Sequence, residues 1–168
     1  MRLFPAFAVL LLCGAPAIAG GIMIEEPYAR ASFPGAANGA AFMRIMNHTG
    51  EDDRLIGAES DISERVELHT HVMDGDVARM VEDEDGFEVT TGDGAHLTRG
   101  GDHIMFIGLK EPLEQDATVT VNLIFEKAGR VEVTVPVDFE RVEEAGGHGH
   151  GHGHSHDHGD HGDHDVTN

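Results

Sequence analysis

Apolar and polar residues alternate along most of the chain between residues 20 and 142, in short runs set off by turn residues. "IMIEEPYAR" is the first run and "AAFMRIMN" the second, closed by "HTGEDD". "RVELHTHVM" and "VARMVE" flank the turn "DGD", and "DEDG" separates them from "FEVTT". "GDG" then leads to "AHLTR", and "GGD" to "HIMFIGL". The clearest hairpin is "ATVTVNLIFE" and "VEVTVPVDFE" around the turn "KAGR". A period of two, rich in Val and Ile and punctuated by Gly and Asp, predicts strands. No apolar stripe of helical period extends over eleven residues. The fold class expected is all-β: an antiparallel Greek-key sandwich or small barrel.

Both ends of the chain depart from this pattern. Residues 1–19 have an early Arg2, an apolar run from Phe7 to Cys13 and the small-residue site Ala17-Ile18-Ala19. They read as a secretory signal peptide cut after Ala19, which places the mature protein outside the cytoplasm, in the periplasm. The run is too short for a membrane span, and nothing later is apolar over 18 residues. The one cysteine, Cys13, lies within this signal. Leu12 before it is a poor fit to a lipoprotein cleavage site, so no lipid anchor is expected. A mature chain without thiol makes no disulfide and offers no thiolate to a metal.

From residue 143 to 168 the apolar residues almost vanish. The tail carries His148, His150, His152, His154, His156, His158, His161 and His164 among Gly, Ser and Asp. Such a composition buries too little to offset the entropy of ordering, so a disordered, metal-binding tail is expected. Spaced imidazoles with aspartates favour Cu(II), with Zn(II) and Ni(II) as alternatives.

Charge narrows the partners. With 31 acidic and 11 basic residues the formal net charge is -20. That balance argues against nucleic acid and anionic membranes and suits a soluble protein that attracts cations. No nucleophile–base pair or phosphate loop is evident, so an enzyme is not expected.

The stretch "HTHVMDGDVARM" gathers two imidazoles and two thioethers. On a strand, His69, His71 and Met73 share one face, and Leu68, Thr70 and Val72 the other. The same rule puts His103 and Met105 on one face of "HIMFIGL", opposite Ile104 and Phe106. A sandwich that brought His69, Met80, His103 and Met105 together would offer two nitrogens and two sulfurs. Neutral thioether suits Cu(I), whereas zinc prefers thiolate, imidazole or carboxylate, and calcium and magnesium prefer oxygen. Met43 and Met46 read as core filler or cover, and His48 and His96 as surface residues beside turns.

Residues 69–105 resemble the signature of the PCu(A)C copper chaperones, H-x10-M-x21-H-x-M. Ten residues separate His69 from Met80, and His103-Ile104-Met105 matches the H-x-M end. Between Met80 and His103 lie 22 residues rather than 21, an insertion that a turn accommodates at little cost. "GAAFMRIMN", "VELHTHVMDG" and "GGDHIMFIGL" extend the resemblance over most of residues 22–138.

The resemblance implies a cupredoxin-like sandwich that binds Cu(I) through His69, Met80, His103 and Met105. It further implies delivery of copper to respiratory cytochrome oxidase, at the CuA centre, alongside Sco-type thiol proteins. Separately from the resemblance, a monomer is expected. His71 and Met73 are not in the pattern but share the face of His69, and are candidate auxiliary ligands. Two other readings use the same residues: a protein that sequesters copper without delivering it, and a zinc or nickel scavenger working through the tail. A cupredoxin electron carrier is rejected, because it needs a Cys thiolate at copper.

Overall fold

A computed structural model describes residues 21–142; the signal segment 1–19 and the histidine tail lie outside the described residues. Ten strands follow in order: β1 (Ile22–Ala31), β2 (Asn38–Asn47), β3 (Asp53–Glu59), β4 (Ser63–Asp74) and β5 (Val77–Glu82). Then come β6 (Phe87–Val89), β7 (Ala95–Leu97), β8 (His103–Leu109), β9 (Thr118–Phe125) and β10 (Gly129–Pro136). One sheet runs β1-β2-β8-β4-β5, with β7 also pairing β2, and the second runs β10-β9-β3-β6. Every ladder between strands is antiparallel. The all-β antiparallel expectation therefore holds for residues 21–142.

Alternation explains how the sheets face each other. On β9, Val119, Val121, Leu123 and Phe125 are buried while Thr118 and Thr120 are exposed. Leu68, Ile104 and Phe106 of the first sheet meet Leu55, Val121 and Leu123 of the second in a shared core. Each such side chain contributes about 1.5–3 kcal/mol when fully removed from water. Met43 sits in that core at 2 % exposure, as filler. His48 and His96 are exposed beside turns.

Strand β2 departs from simple alternation: Ala41, Phe42 and Met43 are buried in succession. Its second face is covered too, because Tyr28 stacks on Phe42 with ring centroids 5.0 Å apart. The β1–β2 register slips between Glu25 and Tyr28, where Glu26 adopts φ 51°. A bulge of this kind re-aims the side chains that follow it. Here it precedes an aromatic pair on the sheet face turned away from the main core.

Strand β3 was not expected from the pattern. Its sequence "DRLIGAE" places only Leu55, Ala58 and the polar Asp53 in buried positions, and Gly57 interrupts it. Pairing with β9 and β6, rather than its own composition, makes it a strand.

Candidate metal site

Ile104, Phe106 and Leu68 point into the core, so His103, Met105 and His69 project from the opposite face of the first sheet. Register then sets the neighbours. His69 lies across from His103, Glu67 from Met105, and His71 from Met80. Directly opposed side chains in an antiparallel pair stand on one face, with Cβ atoms about 5 Å apart. Three separate sequence segments thus place imidazoles and thioethers side by side.

His103 is the buried centre of the group, 4 % exposed. Its ring lies 5.9 Å from those of His69 and Phe42 and 5.6 Å from that of His71, centroid to centroid. Burial holds His103 below the ordinary imidazole range; the Gly101 carbonyl opposes this, and neighbouring His69 and His71 reinforce it. The neutral ring carries one N–H. Its Nδ1 lies 2.8 Å from the Gly101 carbonyl oxygen, which can only accept, so the proton belongs on Nδ1. Nε2 is then a bare lone pair, and it faces Met80 Sδ at 3.0 Å. No hydrogen is available between these atoms. Two soft donor atoms directed at one locus are an arrangement a cation stabilises.

The turn that aims the Gly101 carbonyl is well fixed. Thr70 Oγ1 donates to Asp102 Oδ1 at 2.6 Å, Thr98 N–H donates to Asp102 O at 2.8 Å, and Gly101 N–H donates to Thr98 O at 3.1 Å. Gly100 supplies the positive φ of 83° that the turn requires.

His69 is arranged by the same logic from the other nitrogen. Nε2 lies 2.9 Å from Glu67 Oε2, while Nδ1 is buried and has no hydrogen-bond partner. A buried polar atom left unpaired costs about 1–3 kcal/mol, which a metal bond there would offset. The Glu67–His69 pair is also the carboxylate–imidazole arrangement that orients metal-bound histidines.

Met80, His103 and Met105 line an open cleft of about 640 Å³, together with His71. Phe33, Ala36, Gly39, Ala40 and Phe42 make its apolar side, with Arg30 and Arg99 at its edge. Among the described residues no carboxylate lines this cleft. Hard cations, which need anionic or carbonyl oxygen, gain little there, and a soft monovalent ion fits the donors. Among the described residues no three His, Cys, Asp or Glu side chains already surround one point, so the thioethers are part of any close-knit donor set.

The structure therefore brings His69, Met80, His103 and Met105 onto one face around His103, with His69 at the back of the cleft rather than in its wall. His71 joins the wall. Met73 does not: it pairs with Ala78 near the hairpin end and is 68 % exposed. Sequence reasoning had not singled out Glu67 or Gly101. Glu67 was accessible to the alternation rule, since it shares the face of His69; the Gly101 carbonyl carries no side-chain signal.

The family model described as "Putative lipoprotein LpqE-like" matches residues 22–137. A protein of Leifsonia xyli subsp. xyli, also described as a lipoprotein, is 33% identical over 127 residues, covering 75% of each chain. Among solved structures, the copper-bound PCuAC domain from PmoF2 is 25% identical with a TM-score of 0.58, covering 71% of this chain and 94% of that one. The apo PCuAC domain from PmoF1 has a TM-score of 0.59 at 22% identity, covering 71% and 95%, a likeness of fold. The Cu(I) form of DR1885 from Deinococcus radiodurans is 26% identical with a TM-score of 0.54, covering 68% and 78%. The architecture is thus the cupredoxin-like one of the PCuAC domains.

Proposed function

The chain belongs to the LpqE-like family, and from that membership and the donors in its cleft we propose that it is an exported copper chaperone. Cu(I) binds through His69, Met80, His103 and Met105. One observation carries the reading: two neighbouring imidazoles are each tied at one nitrogen to an outer acceptor, and one of the remaining nitrogens faces a methionine sulfur at 3.0 Å. The copper-bound state of similar domains supports the choice of metal.

A carrier must let its cargo go. Neutral thioethers bind Cu(I) less tightly than thiolates, so a thiol-bearing acceptor takes the ion by ligand exchange with no energy source. A tenfold advantage needs only about 1.4 kcal/mol. The CuA subunit of cytochrome oxidase and Sco-type proteins are the acceptors that the sequence resemblance suggests, reached outside the cytoplasm.

The tail adds a Cu(II)-collecting segment. Its attachment point favours this: Arg141 lies over the Tyr28 ring at 4.8 Å, Tyr28 stacks on Phe42, and Phe42 touches His103. The described chain therefore ends near the folded site, and the eight histidines that follow in the sequence raise the local metal concentration by tethering.

X-ray absorption on the protein carrying one equivalent of Cu(I), with the tail histidines replaced by serine, tests the site. The expected shell has two sulfurs and two nitrogens, and Met80→Leu or Met105→Leu removes one sulfur. A shell without sulfur, or one indifferent to both substitutions, refutes the assignment. Transfer of Cu(I) to an apo thiol acceptor separates a chaperone from a sequestering protein.

A further inference from the structure

The face that carries the metal donors also carries an arginine. Arg30 on β1 stands across from Ala40 on β2, and Ala40 across from Met105 on β8. Opposed residues share a face, so Arg30 and Met105 lie on one side of the sheet, two strands or about 10 Å apart, with only a methyl group between them. The flanking Ala29 and Ala31 are buried in the core, which turns Arg30 outward. Its side chain lines the same cleft of about 640 Å³ as Met80, His103 and Met105.

The surroundings leave that charge uncompensated. Arg44, Arg65, Arg79, Lys127, Arg130 and Arg141 each meet a carboxylate of the chain. The Arg30 side chain makes no ion pair or hydrogen bond among the described residues. The carboxylate next in its row, Glu67 across from Met105, is engaged by Arg65 and His69. Arg99 adds a second guanidinium to the cleft wall. Beside these charges the lining is apolar, with Phe33 62 % exposed and Ala36 and Phe42 next to it. The cleft is much larger than one ion and falls in the range of small-molecule sites, about 300–1,000 Å³. A guanidinium fork matches a carboxylate through two parallel hydrogen bonds.

We propose that the cleft binds a small organic carboxylate, its anionic end at Arg30 and its apolar body against Phe33 and Phe42. The anion site goes beyond the Cu(I) reading and does not depend on it. Where both ligands bind, they are coupled. Arg30 repels a cation at Met105, and a carboxylate at Arg30 offsets that repulsion, so each ligand strengthens the binding of the other.

Benzoate serves as the probe and neutral benzamide as the control, titrated calorimetrically into the metal-free full-length chain with the eight tail histidines replaced by serine. Benzoate should bind about tenfold more tightly than benzamide, and Arg30→Gln should remove that preference. Isotope-labelled methionine methyl spectra place the probe. Benzoate should shift the Met80 and Met105 methyls and leave that of Met43, buried in the core, unmoved. The same spectra report whether Arg30→Gln keeps the fold, and the parent's shifts decide the placement if it does not. No benzoate binding, equal binding of benzamide, a preference that survives Arg30→Gln in the folded variant, or shifts that spare Met105 overturns the proposal. In a parent that binds Cu(I), benzoate should raise that affinity about fivefold, and an unchanged affinity overturns the proposal as well. A parent that binds benzoate at Arg30 but no Cu(I) leaves the proposal standing and overturns the Cu(I) reading. One that binds Cu(I) through sulfur but no benzoate does the reverse.

Discussion

Replacing Asp53 by asparagine should destabilise the metal-free protein by about 2–4 kcal/mol at neutral pH. The carboxylate is 5 % exposed at the start of β3. Its Oδ1 accepts from the backbone N–H of Arg54 at 2.7 Å and of Lys127 at 2.9 Å, and Oδ2 accepts from Ala128 N–H at 2.9 Å. Lys127 and Ala128 form the turn of the β9–β10 hairpin, so one side chain ties that turn to the neighbouring strand. Hydrogen bonds to a charged group contribute about 1.5–3 kcal/mol each. Asparagine keeps one acceptor, without charge, and sets an NH2 against a second donor, so charge assistance is lost on three bonds and one bond disappears. A domain of this size shifts in Tm by about 4 °C per kcal/mol, giving a fall of about 8–16 °C.

The pH dependence checks the cause. Burial pushes the Asp53 carboxyl up, but the three backbone donors and the Lys127 ammonium outweigh it and hold the group below 3.8. Such a group stabilises the fold above its unfolded pKa, and that contribution is lost as pH falls through the lower folded value. Urea unfolding followed by circular dichroism should therefore show the gap between parent and Asp53→Asn closing only below about pH 4. A gap under about 1 kcal/mol at neutral pH, or one that stays constant down to pH 3, refutes the reasoning.

Asn47 is fully buried, donates from Nδ2 to Glu51 O and Val89 O, and accepts at Oδ1 from the N–H and hydroxyl of Thr49. Asn47→Leu should cost about 2–4 kcal/mol, measured by the same urea titration, because it strands the buried Val89 carbonyl and removes the bonds that fix the Thr49–Glu51 turn. Gly94 has φ 68° and a Cβ there would collide with the Ile45 carbonyl oxygen, so Gly94→Ala should lower Tm by more than 10 °C, at about 4 °C per kcal/mol. Mass spectrometry of the exported protein should find an unmodified N-terminus at Gly20; a diacylglycerol on Cys13 would overturn the predicted cleavage. Titration of Cu(II) into the full-length and tail-substituted chains should give a higher stoichiometry with the tail, and that excess should fall steeply below about pH 6.5 as protons compete for imidazole.

Faces were legible in the sequence because a strand has a strict period of two. Leu68 against His69, and Ile104 against His103, separated as alternation requires. The long hairpin β9–β10 was legible for the same reason. β3 was not, because its place depends on partners far along the chain. Nor did composition reveal that Tyr28 and Phe42 cover the outer face of the first sheet, since β2 there reads as an unbroken apolar run. At the site, side-chain identity pointed to the candidate donors, but the orientation of the His103 ring by Gly101 depends on how a turn aims a carbonyl. Register, which decided that His71 rather than His69 lies across from Met80, becomes visible only when the strands are paired.

The positions of β8 and β5 in their sheet differ in a way that bears on how cargo departs. His103 stands on an interior strand, hydrogen-bonded on both sides, while Met80 rides on an outermost strand with a single neighbour and is 47 % exposed. On the proposed Cu(I) reading, an ion shared between them would be gripped firmly on the nitrogen side and loosely on the sulfur side. Its bonds would then break in sequence, sulfur first, and an incoming thiolate would need to displace only the yielding half before the rest follows.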